Sequence, residues 1–104
     1  MLPRAPARYD VRRAAMNVRL HPHAVQRLAE RGATRDEVVY AVKHGTSSAA
    51  KFGRTKFVHT FVYNRKWLGT VYRSKQVEAF AVDDGKGDWL VITVVVKFFG
   101  RSSR

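Results

Sequence analysis

The stretch His21-Pro22-His23-Ala24-Val25-Gln26-Arg27-Leu28-Ala29-Glu30-Arg31-Gly32 predicts one helix of about three turns. Proline suits the first position of a helix, where no N–H is needed, and glycine the position just past its end. At about 100° per residue, Ala24, Val25, Leu28 and Ala29 fall on one apolar stripe. His23, Arg27 and Glu30 project together from the opposite side, with Arg31 at its margin. The stripe is the candidate core. The other face gathers a titratable base, two cations and a carboxylate, and reads either as a solvated surface or as a place for chemistry.

Gly32-Ala33 then leads into Thr34-Arg35-Asp36-Glu37, a capping box in which the Thr side chain caps a second helix and Glu37 reaches back. That helix is expected from Arg35 to His44, with Val38, Val39, Ala41 and Val42 as its apolar arc and Gly45 as its stop. His44 suits the last turn as a cation when protonated. Two short helices so joined make an αα-hairpin, marginal alone, which must pack on something.

After Gly45 the period of the chain changes. Thr46 to Gly53 is small, polar and loop-like. Four strands are expected after it: Thr55 to Tyr63, Trp67 to Arg73, Val77 to Asp83 and Trp89 to Val96. Asn64-Arg65-Lys66, Ser74-Lys75-Gln76 and Asp84-Gly85-Lys86-Gly87-Asp88 supply the turns. Short connections make these an antiparallel meander with one face covered by the helical pair. The last strand is almost continuously apolar and is expected to be central and buried on both faces. The fold class is therefore α+β, an N-terminal αα-hairpin packed on a four-stranded antiparallel sheet.

A chain of 104 residues allows one domain, placed here at residues 16–100, with 101–104 as a tail. Residues 1–15 carry four Arg, one Asp and two Pro without periodicity. They read as a flexible basic arm, or as an extension ahead of a start at Met16. Apolar content of 45% predicts a packed body. The charge is the loudest feature: twenty Lys and Arg against eight Asp and Glu give +12, with a pI near 11.0. That balance points to a polyanion, nucleic acid first, then an acidic protein. The absence of cysteine excludes disulfides and thiolate metal sites, and fits the cytoplasm. No apolar run is long enough to span a bilayer, so no membrane partner is expected.

Lys51, Arg54, Lys56, Arg65, Lys66, Arg73 and Lys75 are seven bases with no acid among them, interleaved with Phe52, Phe57, Tyr63, Trp67 and Tyr72. Cations for phosphates beside rings for bases is the composition of a single-stranded nucleic-acid groove. The same rings also suit a core, since alternate strand positions must face inward.

His23-Ala24-x-x-Arg27-Leu28-x-Glu30-Arg31-Gly32, the capped helix containing Asp36-Glu37-Val38, and Val91-Ile92-Thr93-Val94 together resemble a family of small prokaryotic proteins of unknown function. That family is grouped with the RelE/ParE and BrnT toxins of toxin–antitoxin operons. The resemblance covers roughly residues 18 to 98. It implies a RelE-like, microbial-ribonuclease-like αα-ββββ fold, a metal-independent endoribonuclease, in some cases ribosome-associated, and an acidic antitoxin as partner. Members often carry an aromatic directly after Ile-Thr-Val, where this chain has Val95-Val96-Lys97 before Phe98.

Cutting RNA without a metal needs a base for the 2′-OH, cations for the phosphorane and an acid for the leaving oxygen. His23 is the candidate base or acid, Arg27 and Arg31 the phosphate clamps, Glu30 the group that orients His23 or acts as base, and Thr93 a contact to phosphate or ribose. The seven bases would hold the RNA backbone. His21, His23, His44 and His59 have no carboxylate at ligand spacing, so no metal or other cofactor is expected. Two alternatives accompany the ribonuclease reading: a non-catalytic nucleic-acid-binding or regulatory module, and a ParE-type toxin acting on a protein target. In both, Arg27 and Glu30 are a surface ion pair.

Overall fold

The structure, a computed structural model, describes Arg13 and residues 15–101. The rest of the expected basic arm, residues 1–12 and 14, and residues 102–104 of the tail lie outside the described residues. The architecture is α+β: two helices on a five-stranded mixed sheet. In chain order the elements are β1 (Asn17–Leu20), α1 (Pro22–Arg31), α2 (Arg35–His44), β2 (Thr46–Ala49), a 3₁₀ turn (Lys51–Gly53), β3 (Thr55–Trp67), β4 (Thr70–Asp83) and β5 (Asp88–Arg101). The sheet runs β1-β5-β4-β3-β2.

Both helices form where their local chemistry requires. His21 caps α1, its Nδ1 accepting from the His23 N–H at 3.1 Å, and Gly32 closes the helix at φ 78°. The capping box of α2 is complete. Thr34 Oγ1 accepts from the Glu37 N–H at 3.2 Å, and Glu37 Oε1 accepts from the Thr34 N–H at 2.9 Å. The apolar stripe of α1 is corrected: Ala24 is buried and Leu28 half-buried, but Val25 is 45% exposed and Ala29 is exposed. The helix docks along the row Ala24–Leu28–Arg31, and Arg31 turns inward to donate to the Val94 carbonyl.

The sheet departs from the expected meander. Three long strands replace four short ones, and two edge strands are added. The β3–β4 hairpin turns at Leu68-Gly69, with φ 48° and 86°, a two-residue turn of type I′. Asn64, expected in a turn, sits at φ 49° where the β3–β4 register shifts, and so forms a bulge. Ser74-Lys75-Gln76 lies inside β4. β2, the Thr-Ser-Ser-Ala stretch expected as loop, pairs with β3 although all four residues are exposed. β1 pairs with β5 in parallel, Val18 opposite Trp89 and Leu20 opposite Val91.

The core lies between the sheet and the helices. Phe57, Ala79 and Val94 form one inward rank across β3, β4 and β5, and Val38, Ala41 and Val42 of α2 cover this inner face. Phe57 meets Trp89 edge-on at 4.9 Å. Arg13 is buried over the Phe57 ring and donates to the carbonyls of Lys43 (3.2 Å) and Gly45 (2.8 Å), satisfying the end of α2. At the other end of the sheet Trp67 stacks on Phe98, centroids 5.3 Å apart. Gly32 lies directly on both rings, where a Cβ would meet Phe98 at 3.0 Å and Trp67 at 3.1 Å.

β5 is not buried on both faces. Trp89, Val91 and Val94 are buried inward, while Leu90, Thr93 and Val95 are half-buried on an outer face that no described helix covers. The apolar run exists because a half-open sheet needs β-branched residues on both sides, not because both sides are sealed.

The Asp84–Asp88 turn is held by one carboxylate. Asp84 Oδ1 accepts from the Lys86 N–H at 2.7 Å and the Asp88 N–H at 3.2 Å, and Oδ2 pairs with Arg19 at 3.1 Å. The Lys86 N–H above all, then the Asp88 N–H and Arg19, hold the Asp84 carboxyl below its ordinary 3.8, outweighing its desolvation. A depressed folded value means that this stabilisation is present above 3.8 and is lost as pH falls through the folded value. Asp84→Asn is therefore expected to lower the urea midpoint at pH 7, with the two proteins converging as pH drops below that point. A difference unchanged by acid would show that the carboxylate's charge is irrelevant.

Candidate nucleic-acid interface

The five expected catalytic residues do not meet. His23 is exposed in the first turn of α1. Arg27 pairs with Glu30 at 3.2 Å across one helical turn, in a geometry worth little at a surface. Arg31 is committed to the Val94 carbonyl, tying α1 to β5 and shielding that stretch of strand edge. Thr93 lies on the other side of the sheet from all four.

A β-bulge decides where Thr93 points. The β4–β5 register passes from Ala81 opposite Val91 to Phe80 opposite Thr93, leaving Ile92 as the extra residue. Plain alternation from Val91 would have sent Thr93 inward. The bulge re-aims it onto the outer face.

That outer face is built in ranks across β3, β4 and β5. Lys56, Phe80 and Thr93 form one, Val58, Glu78 and Val95 the next, and Thr60, Gln76 and Lys97 the third. Where the first rank meets the 3₁₀ turn, an open cavity of about 490 Å³ is lined by Lys51, Phe52, Arg54, Lys56, Phe80, Thr93 and Val95. Three of the seven expected RNA-binding cations and one expected catalytic residue thus share one concavity.

Phe52 stands out at its rim. It is 86% exposed, and its backbone sits at φ 62°, ψ 34°, a left-handed conformation that a bulky side chain rarely takes. The Arg54 guanidinium carbon lies 5.8 Å from its ring centroid. The fold accepts strain here to hold an aromatic ring in water beside a cation.

The other cations divide. Arg65, Lys66 and Arg73 are exposed at the hairpin end of the sheet. Lys75 is a correction: its side chain is only 5% exposed, on the inner face, where Nζ meets Glu37 Oε2 at 2.7 Å and donates to the Gly32 carbonyl at 3.0 Å. It also lies 4.8 Å from the Tyr63 ring centroid. It pins the α1–α2 turn to the sheet and offers nothing to RNA.

Sequence reasoning missed Glu78 and Lys97. Glu78 is buried in the middle of the outer face, with Oε2 3.1 Å from Lys97 Nζ and Oε1 3.9 Å from Lys56 Nζ. The signal was the alternation Gln76-Val77-Glu78-Ala79-Phe80, legible only once the strand is not broken at Gln76.

Elsewhere, Tyr40 touches both His44 (4.9 Å) and His59 (4.8 Å) where α2 crosses β3. A second cavity of about 460 Å³, beside Arg13, Asp83, Gly85 and Trp89, holds none of the expected site residues. Among the described residues no three His, Asp or Glu side chains are placed to hold a metal, and no helix is long and apolar enough to cross a membrane. No family model, curated protein or solved structure matches the chain.

Proposed function

We propose that the protein binds single-stranded RNA across the outer face of its sheet and cuts it without a metal, as a RelE-like toxin held in check by an acidic antitoxin. The observation that carries the reading is Phe52, a strained and exposed ring at the mouth of a cavity walled by Lys51, Arg54 and Lys56. A base stacks on the ring while the cations hold the phosphates on either side. The formal charge of +12 supports a polyanion at this face.

The test is fluorescence anisotropy with a short labelled single-stranded RNA at several salt concentrations. Four cations around the outer face (Lys51, Arg54, Lys56 and Lys97) predict a log–log salt slope of about −3, shallower by about one in Lys56→Ala. Phe52→Gly is expected to weaken binding by about 1–3 kcal/mol, the worth of one stacked base. It should also stabilise the fold by about 1 kcal/mol, because glycine adopts φ 62° without strain. Opposite signs on the two measurements mark a functional ring. Unchanged binding in Phe52→Gly, or salt-insensitive binding, would remove this face as the RNA site.

A further inference from the structure

Glu78 is expensive where it stands. Its cross-strand neighbours on the outer face are Val58 and Val95, and its side chain is 8% exposed. A carboxylate there loses most of its water, and an apolar residue would serve a sheet face at lower cost. The two lysines that face it compensate incompletely. Lys97 Nζ is in ionic contact with Oε2 at 3.1 Å but outside hydrogen-bonding direction, and Oε2, itself sealed from solvent, accepts no hydrogen bond among the described residues. Both lysines are partly exposed, 36% and 55%, so each can reach a phosphate laid over the face. Thr93 and Phe80, one rank away, form the wall of the RNA cavity.

We propose that Glu78 is the general base and Lys97 the general acid of RNA cleavage on this face, with Lys56 steadying the phosphorane. This rests on reading the outer face as the RNA-binding surface. Glu78 Oε1, the carboxylate oxygen on the Lys56 side, takes the proton of the 2′-OH, and the 2′-oxygen forms its bond to phosphorus. The bond from phosphorus to the 5′-oxygen breaks, and that oxygen takes a proton from the Lys97 ammonium. The products are a 2′,3′-cyclic phosphate and a 5′-hydroxyl. Glu78 is then protonated and Lys97 neutral, 3.1 Å apart in the resting protein, so one proton transfer between them resets the site without water or metal. The α1 face has no such pair: its carboxylate, Glu30, is exposed and already paired to Arg27.

The experiment uses the full-length protein, a fluorescent single-stranded RNA and EDTA, measuring binding by anisotropy and cleavage by product ends. Wild type is expected to cut and leave cyclic phosphate, and Glu78→Gln, which frees Lys56 and Lys97, to bind at least as tightly while cutting at least about a hundredfold more slowly. Glu78 is buried, so Lys97→Ala, at an exposed position, provides the second arm. It should be comparably slow on ordinary RNA and recover to near the wild-type rate on RNA whose 5′-bridging oxygen at the cut is sulfur, a leaving group needing no acid. Cutting that persists in folded Glu78→Gln, or a Lys97→Ala defect that sulfur does not rescue, overturns the assignment. A wild type that binds but does not cut, with or without added ribosomes, also overturns it and leaves RNA binding standing. A wild type that does not bind overturns the RNA reading itself.

Discussion

Lys75→Ala is expected to lower the stability of the fold by about 3 kcal/mol, toward the low end for breaking a buried ion pair because Glu37 is partly exposed. Truncation strands the Glu37 carboxylate on the inner face and removes the donor that the Gly32 carbonyl uses. Glu37 also closes the capping box of α2, so the loss spreads to the entry of that helix. In a domain of this size the melting temperature should fall by roughly 10–20 °C. Lys75→Met with Glu37→Gln removes both charges and keeps most of the volume, and should recover more than half of the deficit. RNA affinity of the double variant is expected to match wild type in value and salt slope, since Lys75 faces away from the outer surface. A stable Lys75→Ala protein with weakened RNA binding would reverse that assignment.

Phe57→Ala should cost still more, about 3–5 kcal/mol by urea denaturation. The ring is 0% exposed, stands edge-on to Trp89 and lies under the Arg13 guanidinium, so β3, β5 and Arg13 lose their shared contact. Against the roughly 5–15 kcal/mol that a domain of this kind has in total, the variant approaches the limit of folding. Phe57→Leu refills most of the space and is expected to cost about 1–2 kcal/mol. A Phe57→Ala midpoint close to wild type would mean that the core is centred elsewhere.

The helices were legible because their signals are local. Pro22, Gly32 and the Thr34–Glu37 box each act within one turn of chain and do what their chemistry dictates, whereas Gly45 ends α2 at an extended φ of −77° and is needed because a Cβ would meet the Ala41 and Val58 carbonyls at 2.5 and 2.6 Å. The sheet was less legible because its decisive signals depend on partners. Asn64 takes the positive φ that turns favour but spends it on a bulge, while the actual reversal uses Leu68-Gly69, and Leu carries no turn preference. β2 has no apolar residue larger than alanine and exists only because β3 offers it a ladder. β1 is too short to show a period.

For the site, clustering of charge singles out Lys51, Arg54 and Lys56, and the three line one cavity. It failed for Lys75, whose partner Glu37 is distant in sequence and whose burial is purely tertiary. Thr93 stands out in the sequence by its hydroxyl, and its separation from His23 depends on the bulge at Ile92, which no alternation rule reveals. Glu78 was overlooked because an isolated acid in a strand carries no signal until its neighbours across the sheet are known.

The sheet order places the first described strand beside the last, with Asn17 opposite Asp88, about seventy positions apart. During synthesis the two helices and the β3–β4 hairpin emerge early, but β1 has no partner and Arg31 no Val94 carbonyl until β5 leaves the ribosome. The inner apolar face therefore stays open until β5 has been made. Synthesis of β5 and closure of the sheet are one event, so a ribosome stalled before β5 would present chaperones with an unsealed core rather than a smaller folded domain.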